Sequence, residues 1–176
     1  SIVTRSPMPR AWSVQAKFAI GSGLREGEQW ALRLADVHLS SEPHVVVRYG
    51  SPHGPTKGRK IRTVPLFGLA LEAMREWLEL LPSWCRRNPN KLAFPGQRGG
   101  FLKEPPSEWH DWVAAAGIGR RVRWHDLRHT CGASLVSGWW GRSWSLHEVR
   151  DLLGHHSVEE TERYAHLADT ALKRAA

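Results

Sequence analysis

Residues 145–166 read SLHEVRDLLGHHSVEETERYAH, and this stretch says most about how the chain folds. Ser145 with Glu148, and Ser157 with Glu160, match the S-x-x-E capping box, in which a hydroxyl and a carboxylate satisfy each other's backbone N–H at a helix start. Gly154 falls where the first of these helices must end, because glycine adopts the left-handed conformation at little cost. The stretch therefore predicts two helices joined by a histidine-rich corner, His155-His156, with Tyr164 on the second.

Working outward from that corner, the chain from His125 onward reads as nearly all helix. His125 and Arg128 are three residues apart, which puts them on one helical face. The segment 137–144 is rich in glycine and tryptophan and reads as a local insertion that packs on the core or contacts a partner. Further upstream, residues 107–116 read as a helix, and 83–106 as a loop rich in proline and glycine. Residues 68–81 form an amphipathic helix that Pro82 is expected to stop.

In the first third, residues 10–20 read as a helix and Gly21-Ser22-Gly23 as a break. A second helix over 25–34 is predicted because Trp30, Leu34 and Val37 recur at helical spacing. Val45, Val46 and Val47 mark a strand over 44–49. Residues 50–58 form a turn, and 59–66, where Ile61, Val64 and Leu66 loosely alternate, form the return strand. The result is a β-hairpin with a basic tip. The predicted fold class is mainly α with a small antiparallel β-sheet (α+β), in a single domain over 1–176.

Composition narrows the class of function. The chain has 176 residues, 41% hydrophobic and 24% charged, enough to bury a core without metal or disulfide support. No apolar run is long enough to span a membrane, and the first ten residues have no apolar segment of the signal-peptide kind. Cys85 and Cys131 lie far apart without a C-x-x-C pattern, so two reduced, buried thiols and a reducing cytoplasm are expected. Twenty-five Lys and Arg against 17 Asp and Glu give a net charge of +8, which suits a polyanion. The ten tryptophans are read as core residues.

Cleaving a phosphodiester without metal needs a cation clamp on the phosphate, a nucleophile and a proton for the leaving oxygen. Arginine suits the clamp because its planar fork donates two bonds to one phosphate. Arg25 opens a helix in Gly23-Leu24-Arg25-Glu26-Gly27-Glu28. His125 and Arg128 follow, then His155, and Tyr164 nine residues later. A free tyrosine titrates near pH 10 and needs a nearby base and a positive field to attack.

These residues, in this order, resemble the catalytic domain of the tyrosine recombinases, the phage-integrase-like enzymes. The likeness covers residues 21–167, with 1–20 as a lead-in and 168–176 as a tail. "GLREGE" resembles the first arginine box, with Arg25 and its accompanying acid Glu28. "TKGRKIRTVPL" resembles the family's β-hairpin, with Lys57 at the lysine position and Lys60 as runner-up. "HDLRHT" supplies His125 and Arg128, and "LLGHHSVEETERYAH" supplies His155 and Tyr164.

The resemblance implies a site-specific DNA recombinase. In it Arg25 and Arg128 clamp the scissile phosphate, and Tyr164 attacks phosphorus to form a 3′-phosphotyrosyl link. Lys57 protonates the leaving oxygen, His125 helps take the tyrosine proton, His155 hydrogen-bonds the phosphate, and Glu28 orients Arg25 or a neighbouring histidine. No cofactor and no metal take part. The partner is double-stranded DNA, bound as a homotetramer on paired sites or as a monomer when the domain is isolated, in the prokaryotic cytosol or nucleoid. Family members usually carry an N-terminal DNA-clamping domain that this chain lacks, so weak DNA binding is expected.

Competing readings are a type IB topoisomerase-like enzyme, a non-catalytic DNA-binding remnant of a mobile element, and a zinc hydrolase built on His125 and His129. Arg59, Lys60 and Arg62 are expected to grip the DNA backbone. His129 is read as a structural partner, His156 as a neighbour out of register, His166 as a surface residue, and Tyr49 as sheet packing.

Overall fold

The computed structural model describes residues 7–51, 54–55, 60–155, 157 and 159–175. Helix α1, Arg10–Ser22, is followed by the short α2, Glu26–Ala31, and a 3-10 turn at Leu34–Asp36. Strands β1 (Val37–His38), β2 (His44–Val47) and β5 (Arg62–Pro65) form an antiparallel sheet in the order β1-β2-β5. Between β2 and β5, β3 (Tyr49–Ser51) pairs with β4 (Gly54–Pro55), so the expected hairpin carries a second, two-stranded sheet at its tip. Among the described residues six more helices follow: α3 (Gly68–Trp84), α4 (Trp109–Ala115), α5 (Asp126–Ser137), α6 (Leu146–Leu153), α7 (Glu159–Glu162) and α8 (Ala165–Ala175). The fold class is as predicted.

Several boundaries differ from the sequence reading. Helix α1 runs through Gly21 and Ser22 to a left-handed Gly23, because packing against other helices buries both residues and outweighs glycine's low propensity. Helix α2 ends at Ala31, and Val37, counted as helical from its spacing, begins β1 instead, paired with Val45. Pro82 does not stop α3, which continues to Trp84. A proline this near a helix end deletes a single N–H bond, and the Cys85 N–H still closes the last turn on Leu81 O at 2.9 Å. Trp84 repays the extension by donating its indole N–H to Pro95 O at 2.8 Å.

The segment 83–106 is not merely a surface loop. Leu92, Ala93 and Phe94 are fully buried. They are held by backbone bonds from Ala93 N to Leu32 O, 2.7 Å, and from Leu34 N to Lys91 O, 2.9 Å. Phe94 packs on Phe18 and Trp77, with ring centroids 4.9 and 5.3 Å away. The tryptophans are largely core, as expected: Trp124 meets Trp109, Trp12 and Trp30 at 4.9 to 6.0 Å. Trp139 and Trp140 are the exceptions, at 73% and 37% exposure. In the same connector Trp144 stacks on Phe67 and lies under Arg142, so part of the segment packs on the body and part faces solvent. Cys85 and Cys131 are free and buried, and burial pushes the Cys131 thiol up to about 12. Among the described residues no helix is long and apolar enough to cross a membrane.

Candidate functional site

Three segments converge on one cavity of about 460 Å³: the start of α2, the first turn of α5, and the corner after α6. Arg25, His125, Arg128 and His155 all line it, together with Arg123, His129, Glu160 and Arg163.

Arg128 is anchored from below, its Nη1 donating to Gly23 O at 2.7 Å. Its Nη2 is buried and has no hydrogen-bond acceptor among the described residues. Burial, and then the nearby Arg25 charge, bring its pKa down to about 10, so it remains a cation at neutral pH. A buried cationic donor without an acceptor is costly, and an anion in the cavity is the ligand that would relieve it.

Arg25 is more exposed and lies on the buried Glu28. Its backbone N–H donates to Glu28 Oε2 at 2.9 Å and its Nη1 to Oε1 at 3.2 Å, while Nη2 reaches Gly154 O at 3.4 Å. Glu28 thus touches Arg25 at both its backbone N–H and its guanidinium. Burial alone would raise the Glu28 pKa, but the hydrogen bonds and charges of Arg62 and Arg25 together bring it below the usual carboxylate value.

His155 is nearly enclosed, with Nδ1 2.7 Å from Thr161 Oγ1. Burial and then the charges of Arg128 and Arg25 push its pKa down to about 3. The ring is thus neutral at physiological pH, and its 3.9 Å approach to Glu160 is a polar contact, not an ion pair. Ser157 pairs with the carboxylate of Glu159. Glu160 Oε2 approaches His155, and the predicted Ser145 and Glu148 capping box is complete at 3.2 and 2.8 Å. His125 is likewise lowered, by burial first and then by Arg128 and Arg123.

Tyr164 does not line this cavity. It lies in an adjoining pocket with Asp126, His129, Ala133 and Leu167. Its hydroxyl is 3.0 Å from His129 Nδ1. The ring lies flat against α5 at Gly132, where an added Cβ would stand 2.7 Å from Tyr164 Cε2 and Cζ. Burial raises the Tyr164 pKa, which keeps the phenol protonated. Both pockets are lined by Arg163 and by His129. Arg163 Nη1 lies 3.3 and 3.2 Å from its two ring nitrogens, and burial followed by that charge brings its pKa down to about 4.

The structure corrects the reading of Arg62. Expected on the DNA backbone, it turns inward, with Nη1 and Nη2 both 2.8 Å from Glu28 and Nε 3.4 Å from Leu152 O. Strand alternation carried the signal: Val64 and Leu66 are core residues, so Arg62 shares their face, while Ile61 is 59% exposed. Lys57 and Arg59 lie outside the described residues, and Lys60 is exposed at the edge of the hairpin. His166 is on the surface, and Tyr49 lies in β3 with Arg33 5.2 Å above its ring. His125 and His129 stand edge to face at 5.1 Å, and no group of three or more metal-ligating side chains occurs among the described residues.

Comparison with known proteins agrees with this geometry. The phage integrase family matches residues 6–171. The tyrosine recombinase XerC of Neisseria gonorrhoeae is 34% identical over 149 residues, covering 84% of this chain and 44% of that protein. XerC of Mesorhizobium japonicum is 36% identical over 154 residues, covering 86% of this chain and 45% of that protein. The chain thus spans less than half the length of these relatives. Among solved structures, the XerH site-specific recombinase bound to a palindromic difH substrate, in a post-cleavage complex, superposes with a TM-score of 0.73 at 23% identity, over 97% of this chain and 47% of that one. That likeness is one of fold. On a sequence match that runs nearly its whole length, this chain belongs to the phage integrase family.

Proposed function

We propose that the chain is the strand-cleaving domain of a site-specific DNA recombinase. It breaks and rejoins double-stranded DNA through a 3′-phosphotyrosyl link to Tyr164, without metal or nucleotide. The observation that carries this reading is the convergence of Arg25, His125, Arg128 and His155 on one cavity. A single phosphate there meets two guanidinium groups, which stabilise the charge that grows on its non-bridging oxygens.

In the reaction the Tyr164 oxygen bonds to phosphorus and the bond to the 5′ oxygen breaks. One P–O ester replaces another, so the reverse attack by a 5′-hydroxyl reseals DNA without an energy source. His125, neutral at pH 7, is the acceptor for the tyrosine proton, and neutral His155 donates a hydrogen bond from Nε2 when Nδ1 faces Thr161 as an acceptor. Lys57 supplies the proton to the leaving oxygen, as the family resemblance implies. Tyr164 first has to leave His129, so the arrangement described is a resting one. Its relatives' names, recombinases, support DNA as the target; paired sites acted on by a tetramer, in the compartment that holds the DNA, are what the family resemblance implies.

The test is a nicked duplex that traps the covalent product. The unmodified chain is expected to give a DNA-linked species that survives SDS, unaffected by EDTA, and Tyr164→Phe none. DNA binding with no covalent product would instead support a non-catalytic DNA-binding module, the reading favoured by the position of Tyr164 outside the cavity.

A further inference from the structure

We propose that Arg62 is a positioning residue of the phosphate clamp, setting the direction of Arg25 through Glu28 and holding the Gly154 corner in place. The inference rests on the reading of the arginine cavity as a phosphate site.

Glu28 is buried at 2% exposure and accepts from two arginines. The two bonds from Arg62 are 2.8 Å each and bidentate, while the side-chain bond from Arg25 is longer at 3.2 Å. A fork-to-carboxylate pair is the stronger geometry, so Arg62 is the main counter-charge of Glu28. Arg25 is thereby left steered rather than consumed by the carboxylate. Were Arg62 absent, Glu28 would have Arg25 as its remaining cation, and the Arg25 fork would be drawn down onto it and away from the cavity. Arg62 does not itself line that cavity.

Arg62 also reaches the other support of Arg25. Gly154 O accepts from Arg25 Nη2, and Gly154 lies against the Arg62 guanidinium. A Cβ at Gly154 would come within 2.8 to 3.0 Å of Arg62 Nε, Cζ and Cδ, at a φ of +68° that already selects glycine. The next residue is His155. One inward-facing arginine on β5 thus contacts both the acid that orients Arg25 and the corner that presents His155.

The experiment follows inorganic phosphate binding to the full chain by NMR of the His155 and His125 ring protons, with cleavage of the nicked duplex as a second readout. Arg62→Met is expected to weaken phosphate binding about tenfold, and Arg62→Lys, which keeps the charge but not the fork, by less. In an Arg25→Ala background, Arg62→Met should cost clearly less than it does alone, because the part of its effect that passes through Arg25 is already lost. If Arg62→Met lowers stability by stranding Glu28, the pair Glu28→Gln with Arg62→Met removes both charges and should still bind phosphate weakly. Unchanged phosphate binding by Arg62→Met, or losses that multiply in the double variant, would overturn the inference. No phosphate binding by the unmodified chain would overturn the phosphate-site reading and the inference with it. Phosphate binding that obeys the expected pattern, without DNA cleavage by the unmodified chain, would sustain the positioning role and reject the recombinase reading alone.

Discussion

Arg128 and Tyr164 are both buried, at 3% and 5% exposure, in two pockets that share His129, yet they are left in opposite states. Arg128 keeps a buried donor with no acceptor among the described residues, whereas the Tyr164 hydroxyl has a hydrogen-bond partner, His129 Nδ1, at 3.0 Å. The arginine cavity is charged, with the adjacent acid, Glu28, already paired with Arg62. The tyrosine side is hydrogen-bonded, and burial raises the Tyr164 pKa. The difference separates binding from attack: an anion gains most by entering the cavity, and Tyr164 gains little by moving until one is there.

The largest effect is expected where the unmet donor is removed. Arg128→Ala should lower covalent complex formation by about 10² to 10³-fold, the usual cost of losing one charge-stabilising donor, measured on the nicked duplex. A loss under threefold would mean that Arg128 is not a clamp. A smaller change should mark the tyrosine side. Gly132→Ala puts a Cβ 2.7 Å from the Tyr164 ring and should cost about 1 to 3 kcal/mol in chemical unfolding while raising the solvent exposure of Tyr164. Fluorescence quenching reads the exposure, and an unchanged quenching constant would show that Tyr164 does not lie on α5.

The mildest effect is on pH dependence. The pKa of His155 is held down to about 3 in the folded chain by burial and by Arg128 and Arg25, against about 6.5 when unfolded. Between these values the unfolded chain binds the extra proton, so stability is full above about pH 6.5 and is lost as pH falls toward 3. At pH 5 the loss from His155 is about 2 kcal/mol, and His155→Gln should flatten the fall in Tm between pH 7 and 5. Phosphate added and bound in the cavity would lie near the cationic groups that depress His155, so it should narrow the same fall by raising the His155 pKa.

How much of this was legible in the sequence depends on how local the cause was. The Ser145 and Glu148 cap, the Gly154 stop and the valine-rich β2 are local, and they were read correctly. The exchange of Val37 from helix to strand depends on its partner Val45, and the burial of Phe94 on Phe18, neither of which periodicity can supply. Motif spacing singled out Arg25, His125, Arg128 and His155, which the fold brings to one cavity. Arg62 was misassigned because a run of basic residues at a hairpin tip reads as a solvated face. The position of Tyr164 was not legible at all, since the contact with His129 joins residues 35 apart in sequence.

The most direct test of the account is to digest the DNA-linked protein formed on a nicked duplex and identify the modified residue by mass spectrometry. The account predicts a single nucleotide adduct on the peptide carrying Tyr164, attached through a 3′ phosphate. An adduct on any other residue, or none despite DNA binding, would contradict it.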